Sequence, residues 1–297
     1  MNYTNELGLP QPFVEAVKSK HTYKPNRYSV TEVLGGTCEA VLKRRHQSEV
    51  TEDVSSMLWA ILGTAVHKVL ESAQSGPEQH QEQWMCVPIE VDTGQGKRTY
   101  QLSGIFDLFD ELTGTVTDWK VTGTIKWQKQ EFDDYRLQIL IYCWMLRTKG
   151  YKADNGEVIM MLRDWSKPKS RFDSEYPQCQ VQKVSWSFTD KDFEEVERYI
   201  LDWFTNVEKQ EKLKDLELTP CSPENRWHRD DKWAVVKNGV KRAARVLDDP
   251  DDAATLCEKL SEKSGKPYHV EYRKGEDVRC EMYCSVSFAC PFFQKQV

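Results

Sequence analysis

With 297 residues the chain can form one large domain, or a core with a smaller appended one, and in either case can bury a substantial interior. Its 39% hydrophobic and 30% charged residues and mean hydropathy of -0.67 exclude general disorder, and no run approaches the roughly 20 apolar residues of a membrane helix. The net charge of -6 does not mark a nucleic-acid binder, so any surface for an anionic partner must come from local clusters of Lys and Arg.

The opening MNYTNELGLPQPF lacks the basic-then-apolar layout of a secretory signal, which makes the cytoplasm the expected compartment. Residues 29–47 read as one or two short helices broken at Gly35-Gly36 and ending in the basic run Lys43, Arg44, Arg45, His46. Residues 52–74 read as a helix on which Gly63, His67 and Glu71 share a side. Four runs of strand character follow, 84–91, 98–103, 104–111 and 115–121, with turns at Asp92-Thr93-Gly94 and Leu112-Thr113-Gly114, an antiparallel meander. The pattern then predicts a helix over 134–149, strands over 157–164 and 181–188, and a long helix capped by Thr189 with a stripe of Phe193, Val196, Ile200, Trp203 and Val207. Composition changes at Thr219. Residues 1–218 are therefore expected to form the core and 219–297 a small α+β lobe: a hairpin 233–247 on Asn238-Gly239, a helix 249–263 and a last strand 268–273.

Two of these strands carry acids that invite chemistry: Asp107 in GIFDLFDE, and Asp118 with Lys120 in TVTDWKVT. Alternation puts Asp118 and Lys120 on one face and Trp119 on the other. Carboxylates converging from neighbouring strands make a hard oxygen site for Mg²⁺ or Mn²⁺, and a lysine beside them can orient water or offset charge on a phosphate. D-x-K alone is common and fits a solvated strand face equally well. The apolar neighbours Ile105, Phe106, Leu108 and Phe109 argue instead for a buried Asp107, where an unpaired charge is costly.

With their surroundings these residues resemble the RecB-like branch of the PD-(D/E)XK nucleases, which includes nuclease domains of bacterial recombination complexes, CRISPR-associated adaptation nucleases and many bacteriophage exonucleases. Four elements match in order from Gly63 to Tyr142. GTAVHKVLE resembles the first motif and implies His67 as a metal ligand, with Glu71 a second candidate. GIFDLFDE resembles the second and implies Asp107 as a ligand. TDWK resembles the third and implies Asp118 as a ligand and Lys120 as the catalytic lysine. QILIY resembles the Q-x-x-x-Y motif, implying that Gln138 and Tyr142 orient the lysine or contact DNA. The resemblance thus implies an α/β fold of restriction-endonuclease type, a mixed central sheet flanked by helices. It implies Mg²⁺- or Mn²⁺-dependent hydrolysis of DNA, exonucleolytic at DNA ends in phage or bacterial recombination, repair or processing, in the host cytoplasm if the gene is a phage's. A recombination or replication protein is the partner class it suggests; oligomeric state is not legible. A structure-specific or nicking endonuclease would share every one of these residues. A catalytically inactive DNA-binding or scaffold protein is the other alternative, against which the intact Asp107, Asp118 and Lys120 stand.

Nine cysteines, an odd number in a reducing compartment, argue against a disulfide framework. Cys280, Cys284 and Cys290 form C-x₃-C-x₅-C, which with a fourth thiol suits a structural [4Fe-4S] cluster or Zn²⁺. RecB-like nucleases of the iron-sulfur type carry a comparable trio, usually opening C-x₂-C, so this chain departs by one residue. Cys38 fits their layout for the fourth ligand, while Cys221 in TPCSPENRW resembles a segment of bacteriophage members and is preferred. Cys86, Cys143, Cys179 and Cys257 are scattered and read as buried packing. Lys237, Lys241, Arg242 and Arg245 give a basic hairpin, and Lys43, Arg44 and Arg45 a second basic patch, for phosphate contacts. Trp227, Trp233, Tyr268 and Tyr272 suit stacking on bases or, more simply, lobe packing.

Overall fold

The computed structural model describes residues 2–18 and 22–294, and these fall into two units, Met1–Leu218 and Thr219–Val297, each described by itself. In the first, a short strand β1 (Arg27–Ser29) runs into a one-turn helix α1 (Val30–Val33), whose start is fixed by a capping box between Ser29 and Glu32. Helices α2 (Thr37–Arg45) and α3 (Leu58–Glu71) follow. The turn at Thr93–Gly96 then closes a long antiparallel hairpin, β2 (Gln79–Asp92) with β3 (Lys97–Asp110). Next come β4 (Thr115–Thr122), α4 (Asp133–Thr148), β5 (Asn155–Leu162), β6 (Val181–Ser187) and α5 (Asp190–Glu211).

The strands form one mixed sheet in the order β1-β3-β4-β5-β6, with β2 on the other side of β3. β1 runs parallel to β3 and β4 parallel to β5; the other pairs are antiparallel. Helix α4 is the crossover between parallel β4 and β5, and its residues 138–146 are all buried, as expected of a helix apolar on nearly every side. Helix α5 packs against it and against α2, and its stripe Phe193, Val196, Ile200, Trp203 and Val207 is buried. The fold is the expected α/β type, a mixed central sheet flanked by helices.

Two local readings of this unit need correction. Residues 98–103 and 104–111 are one strand, not two. Gly104 marks no turn: a Cβ there would lie 2.7 Å from the Tyr142 ring and 2.9 Å from Val30, so the glycine admits α4 and α1 close to the strand. The helix expected from residue 52 begins at Leu58, because Thr51–Asp53 is a strand and Asp53 caps a 3₁₀ turn, Val54–Met57. Its apolar residues do not pack into the core either; Leu58, Trp59, Leu62 and Val69 are exposed.

The second unit holds a three-stranded antiparallel sheet, β7 (Lys232–Lys237) flanked by β8 (Ala243–Leu247) and β9 (Tyr268–Arg273), with helix α6 (Pro250–Ser264) packed on it. Asn238-Gly239 does not make a two-residue turn. The connection runs through residues 238–242, and β8 starts at Ala243 rather than at Val240. Among the described residues no helix is long and apolar enough to cross a membrane.

Candidate active site

The β3-β4 ladder runs only from Asp110↔Thr115 to Leu108↔Thr117, and beyond it the strands part. Asp107 and Asp118 are the first residues past that point, and both are buried. Asp107 bridges the gap: its Oδ2 accepts the backbone N–H of Trp119 at 2.7 Å. Its Oδ1 faces helix α3, 3.3 Å from Nδ1 of His67. The same nitrogen lies 3.4 Å from Oε1 of Glu82, on β2. His67, Glu82 and Asp107 thus offer one nitrogen and two carboxylate oxygens, all within 4.8 Å of one another.

Glu82 reaches this position through an unusual backbone, with φ of 47° in mid-strand, the left-handed region that costs an L-residue about 1–2 kcal/mol. Nothing in QHQEQW signals such a role. The one available clue is register: counting back from the turn at Thr93–Gly96 sets residue 82 opposite residue 107. The acid residue that joins the cluster from outside the recognised motifs is therefore Glu82, and Glu71 does not join it. Glu71 is exposed and ion-paired with Lys68.

Asp118, Lys120 and Gln138 form a second, contiguous set. Lys120 Nζ is 2.7 Å from Asp118 Oδ2 and donates to Gln138 Oε1 at 2.9 Å, while Gln138 Nε2 donates to Asp118 Oδ1 at 3.2 Å. The amide of Gln138 therefore holds lysine and carboxylate in fixed relation. Tyr142, one turn along α4 from Gln138, is buried, and burial, then the charges of Asp118 and Asp107, raises its hydroxyl. Asp118 Oδ2 makes no well-directed hydrogen bond of its own; its pairing with Lys120 is by charge.

Electrostatics distinguish the groups. The hydrogen bond to Asp107 raises His67 to about 9, against burial, so in the metal-free protein the imidazole is protonated at neutral pH. Burial, then the charge of Asp107, raises Glu82. Burial raises Asp118 as well, opposed by Lys120 and reinforced by Asp107. Three acids crowd a partly dry site with one lysine and one histidine, an arrangement that favours a cation of higher charge.

Elsewhere the expected sites fare differently. In the second unit, the Cys280 thiol is pushed up to about 12 by burial and then by Cys284, Asp277, Cys221 and Cys290, so each of the other three cysteines bears on Cys280. Cys38 is buried in α2 of the first unit. Cys143 is buried as expected, whereas Cys179 is exposed. On the basic hairpin Lys237 is half-buried, and Lys241, Arg242 and Arg245 are exposed. Trp233 packs on Tyr272 with ring centres 5.8 Å apart, and Trp227 on Tyr283 at 5.3 Å. The other basic run is already engaged: Lys43 pairs with Glu39 at 2.7 Å, Arg44 with Glu32 at 2.7 Å and Arg45 with Asp215 at 2.6 Å. Residues so committed make a poor phosphate surface, which corrects that expectation.

The family model described as the PD-(D/E)XK nuclease superfamily matches residues 75–291. No curated protein matches. Among the solved structures that align are the crystal structure of SSO0001, at 17% identity and a TM-score of 0.47, over 65% of this chain and 82% of that one, and a phage related exonuclease from Haemophilus somnus 129PT, at 9% identity and a TM-score of 0.26, over 58% and 73%.

Proposed function

This chain belongs to the PD-(D/E)XK nuclease superfamily, and from that premise we propose that it is a Mg²⁺- or Mn²⁺-dependent deoxyribonuclease acting exonucleolytically on DNA ends, in recombination, repair or processing of phage or bacterial DNA. The observation that carries the reading is the convergence of His67, Glu82 and Asp107 from one helix and two strands, beside the Asp118-Lys120-Gln138 set. One imidazole nitrogen and two carboxylate oxygens, with the Asp118 carboxylate adjoining, suit a hard divalent cation. When bound, such an ion supplies a more acidic water and compensates charge on the phosphate.

The chain's own residues do the rest. Asp107 holds the parted strands in register through the Trp119 N–H and keeps a second oxygen for the ligand cluster. Lys120 presents an ammonium, steered by Gln138 and Asp118, that donates to a phosphate oxygen or to the attacking water. Gln138 fixes the lysine's direction, and Tyr142 lies buried one turn further along the same helix.

For the tail we propose a structural metal site of Cys280, Cys284, Cys290 and Cys221, holding a [4Fe-4S] cluster or Zn²⁺. Its support is that Cys221, Cys284 and Cys290 all stand near enough to Cys280 to raise its thiol, and four thiolates so placed would repel without a cation. Anaerobically purified protein containing neither iron nor zinc would defeat that proposal. The exposed Lys241, Arg242 and Arg245, with Lys237, are assigned to nonspecific phosphate contact.

The deciding experiment is cleavage of linear and circular, single- and double-stranded DNA with Mg²⁺ or Mn²⁺, run beside Asp118→Asn and Lys120→Ala. Wild type is expected to digest linear but not circular DNA, and both variants to lose activity by at least about a hundredfold. Equal products from all three proteins would defeat the nuclease assignment, and cleavage of closed circles would replace exonuclease by endonuclease.

A further inference from the structure

One step along the sheet from the ligand cluster lies an exposed apolar pair. Trp84 on β2 and Ile105 on β3 are cross-strand partners, 57% and 48% exposed. Alternation along β3 sets Ile105, and with it its partner Trp84, on the side of Asp107, about 7 Å away along the strand. Beside them opens a cavity of about 490 Å³, within the range of small-ligand sites, to which Ser103 and Tyr142 also contribute. Its origin is topological. The β1 pairing ends at Ser103 and the β4 pairing starts at Leu108, so residues 104–107 have no strand partner on that side of β3.

The charge of this cavity is positive. A turn through Pro25 and left-handed Asn26 (φ 56°) bridges Lys24 to Arg27, which brings both cations to the cavity. Neither has a carboxylate partner among the described residues. The one acid in the lining, Glu32, is paired with Arg44 at 2.7 Å. The Arg27 guanidinium carbon stands 6.0 Å from the centre of the Trp84 ring, at the outer limit of cation–π contact. An aromatic face, an aliphatic neighbour and two unpaired cations are the elements that bind a nucleobase together with its phosphate.

We propose that this cavity seats an unpaired nucleotide of a single-stranded DNA end, its base stacked on Trp84 and its phosphates held by Lys24 and Arg27, next to the position cleaved at Asp107. The inference rests on the nuclease reading for the place of cleavage alone. A base inside a duplex shows only its edges, whereas the Trp84 ring can be covered only by a base taken out of the stack.

The test is equilibrium binding of a labelled dT₁₂ strand and of a blunt hairpin duplex to the full chain in EDTA, where nothing is cut. Trp84→Ala is expected to weaken dT₁₂ binding about ten- to a hundredfold, Trp84→Phe no more than about threefold, and neither to change duplex binding beyond about threefold. The double variant Lys24→Ala, Arg27→Ala is expected to weaken dT₁₂ binding and to lower its salt slope by about 1.4. Trp84→Ala binding dT₁₂ within about twofold of wild type overturns the proposal, as does an equal loss on the duplex. Trp84 is exposed, so circular dichroism is expected to show both variants folded, and Trp84→Phe keeps a ring if the alanine variant is not. A wild type that cuts no DNA yet shows the Trp84 effect refutes the nuclease and leaves the seat standing; active enzyme without the effect does the reverse.

Discussion

Replacing Glu82 by glycine is expected to make the metal-free protein more stable and its metal site worse. Two terms favour stability. The left-handed backbone at Glu82, φ 47°, costs an L-residue about 1–2 kcal/mol that glycine does not incur, less the 0.5–1 kcal/mol or so of extra chain entropy that glycine loses on folding. The carboxyl itself is raised by burial and by Asp107. A carboxyl that binds its proton more tightly folded than unfolded costs nothing at low pH and its full amount once pH exceeds the folded-state value, so at neutral pH its removal is stabilising. Against this stands the contact with His67 at 3.4 Å, a half-exposed pair worth less than about 1 kcal/mol. The sum is a gain of about 1 kcal/mol, or roughly 2–4 °C in Tm for a unit of this size. With Mn²⁺ the order reverses: wild type gains about 2.7 kcal/mol at a hundred times Kd, and Glu82→Gly and Glu82→Gln gain little. Thermal unfolding of the three proteins in EDTA and in Mn²⁺ decides the matter. If Mn²⁺ raises the Tm of Glu82→Gln as far as that of wild type, Glu82 is no ligand; if Glu82→Gly melts lower in EDTA, the strain argument fails.

Other outcomes follow from neighbouring geometry. Gln138→Ala leaves the Lys120 ammonium and Asp118 Oδ1 without their amide partner, and is expected to lower kcat about ten- to a hundredfold with KM little changed and the alkaline limb of the pH–rate profile displaced; an unaltered profile assigns Gln138 to packing. Glu208 is pushed up by burial, yet hydrogen bonds from Lys212, Tyr100 and Arg98 bring it from 4.5 to about 2, so its stabilisation of about 3 kcal/mol is present above pH 4.5 and lost as pH falls towards 2. Glu208→Gln is therefore expected to flatten acid unfolding in that window, which titration by circular dichroism measures. Gly156→Ala would set a Cβ 2.2 Å from Ile139 Cγ2, and a loss of about 1–3 kcal/mol in urea unfolding is expected where β5 meets α4.

What the sequence makes legible is what repeats or pairs locally. The stripe of α5 and its Thr189 cap are periodic signals, and the structure contains both. The Asp107, Asp118 and Lys120 motifs read clearly because strand alternation alone nearly fixes their faces. Gly104 misled because a glycine within a strand pattern signals a turn and a close approach alike, and the side chain it admits, Tyr142, lies on a different element. The basic run at 43–45 misled for a similar reason. Arg44 is paired 12 residues away and Arg45 170 residues away, and no local pattern shows that a charge is already matched. Glu82 was hidden twice over, by a register that only the completed hairpin fixes and by a backbone conformation that breaks strand alternation.

The gap beside β3 gives these features one physical origin. A strand that pairs first with β1 and then with β4 must leave its middle free on that side, and free backbone in a protein interior is costly unless something meets it. On the β4 side of the gap Asp107 accepts the Trp119 N–H, which puts a carboxylate where a ladder would have put a carbonyl. The remainder stays open as the cavity beneath Trp84. Parting β3 from β4 therefore does two things at once: it admits an acid to the centre of the sheet and makes room for a chain to approach that acid along the strand. On this argument the ligand cluster and the nucleotide seat are neighbours because one break in the β-ladder produces both.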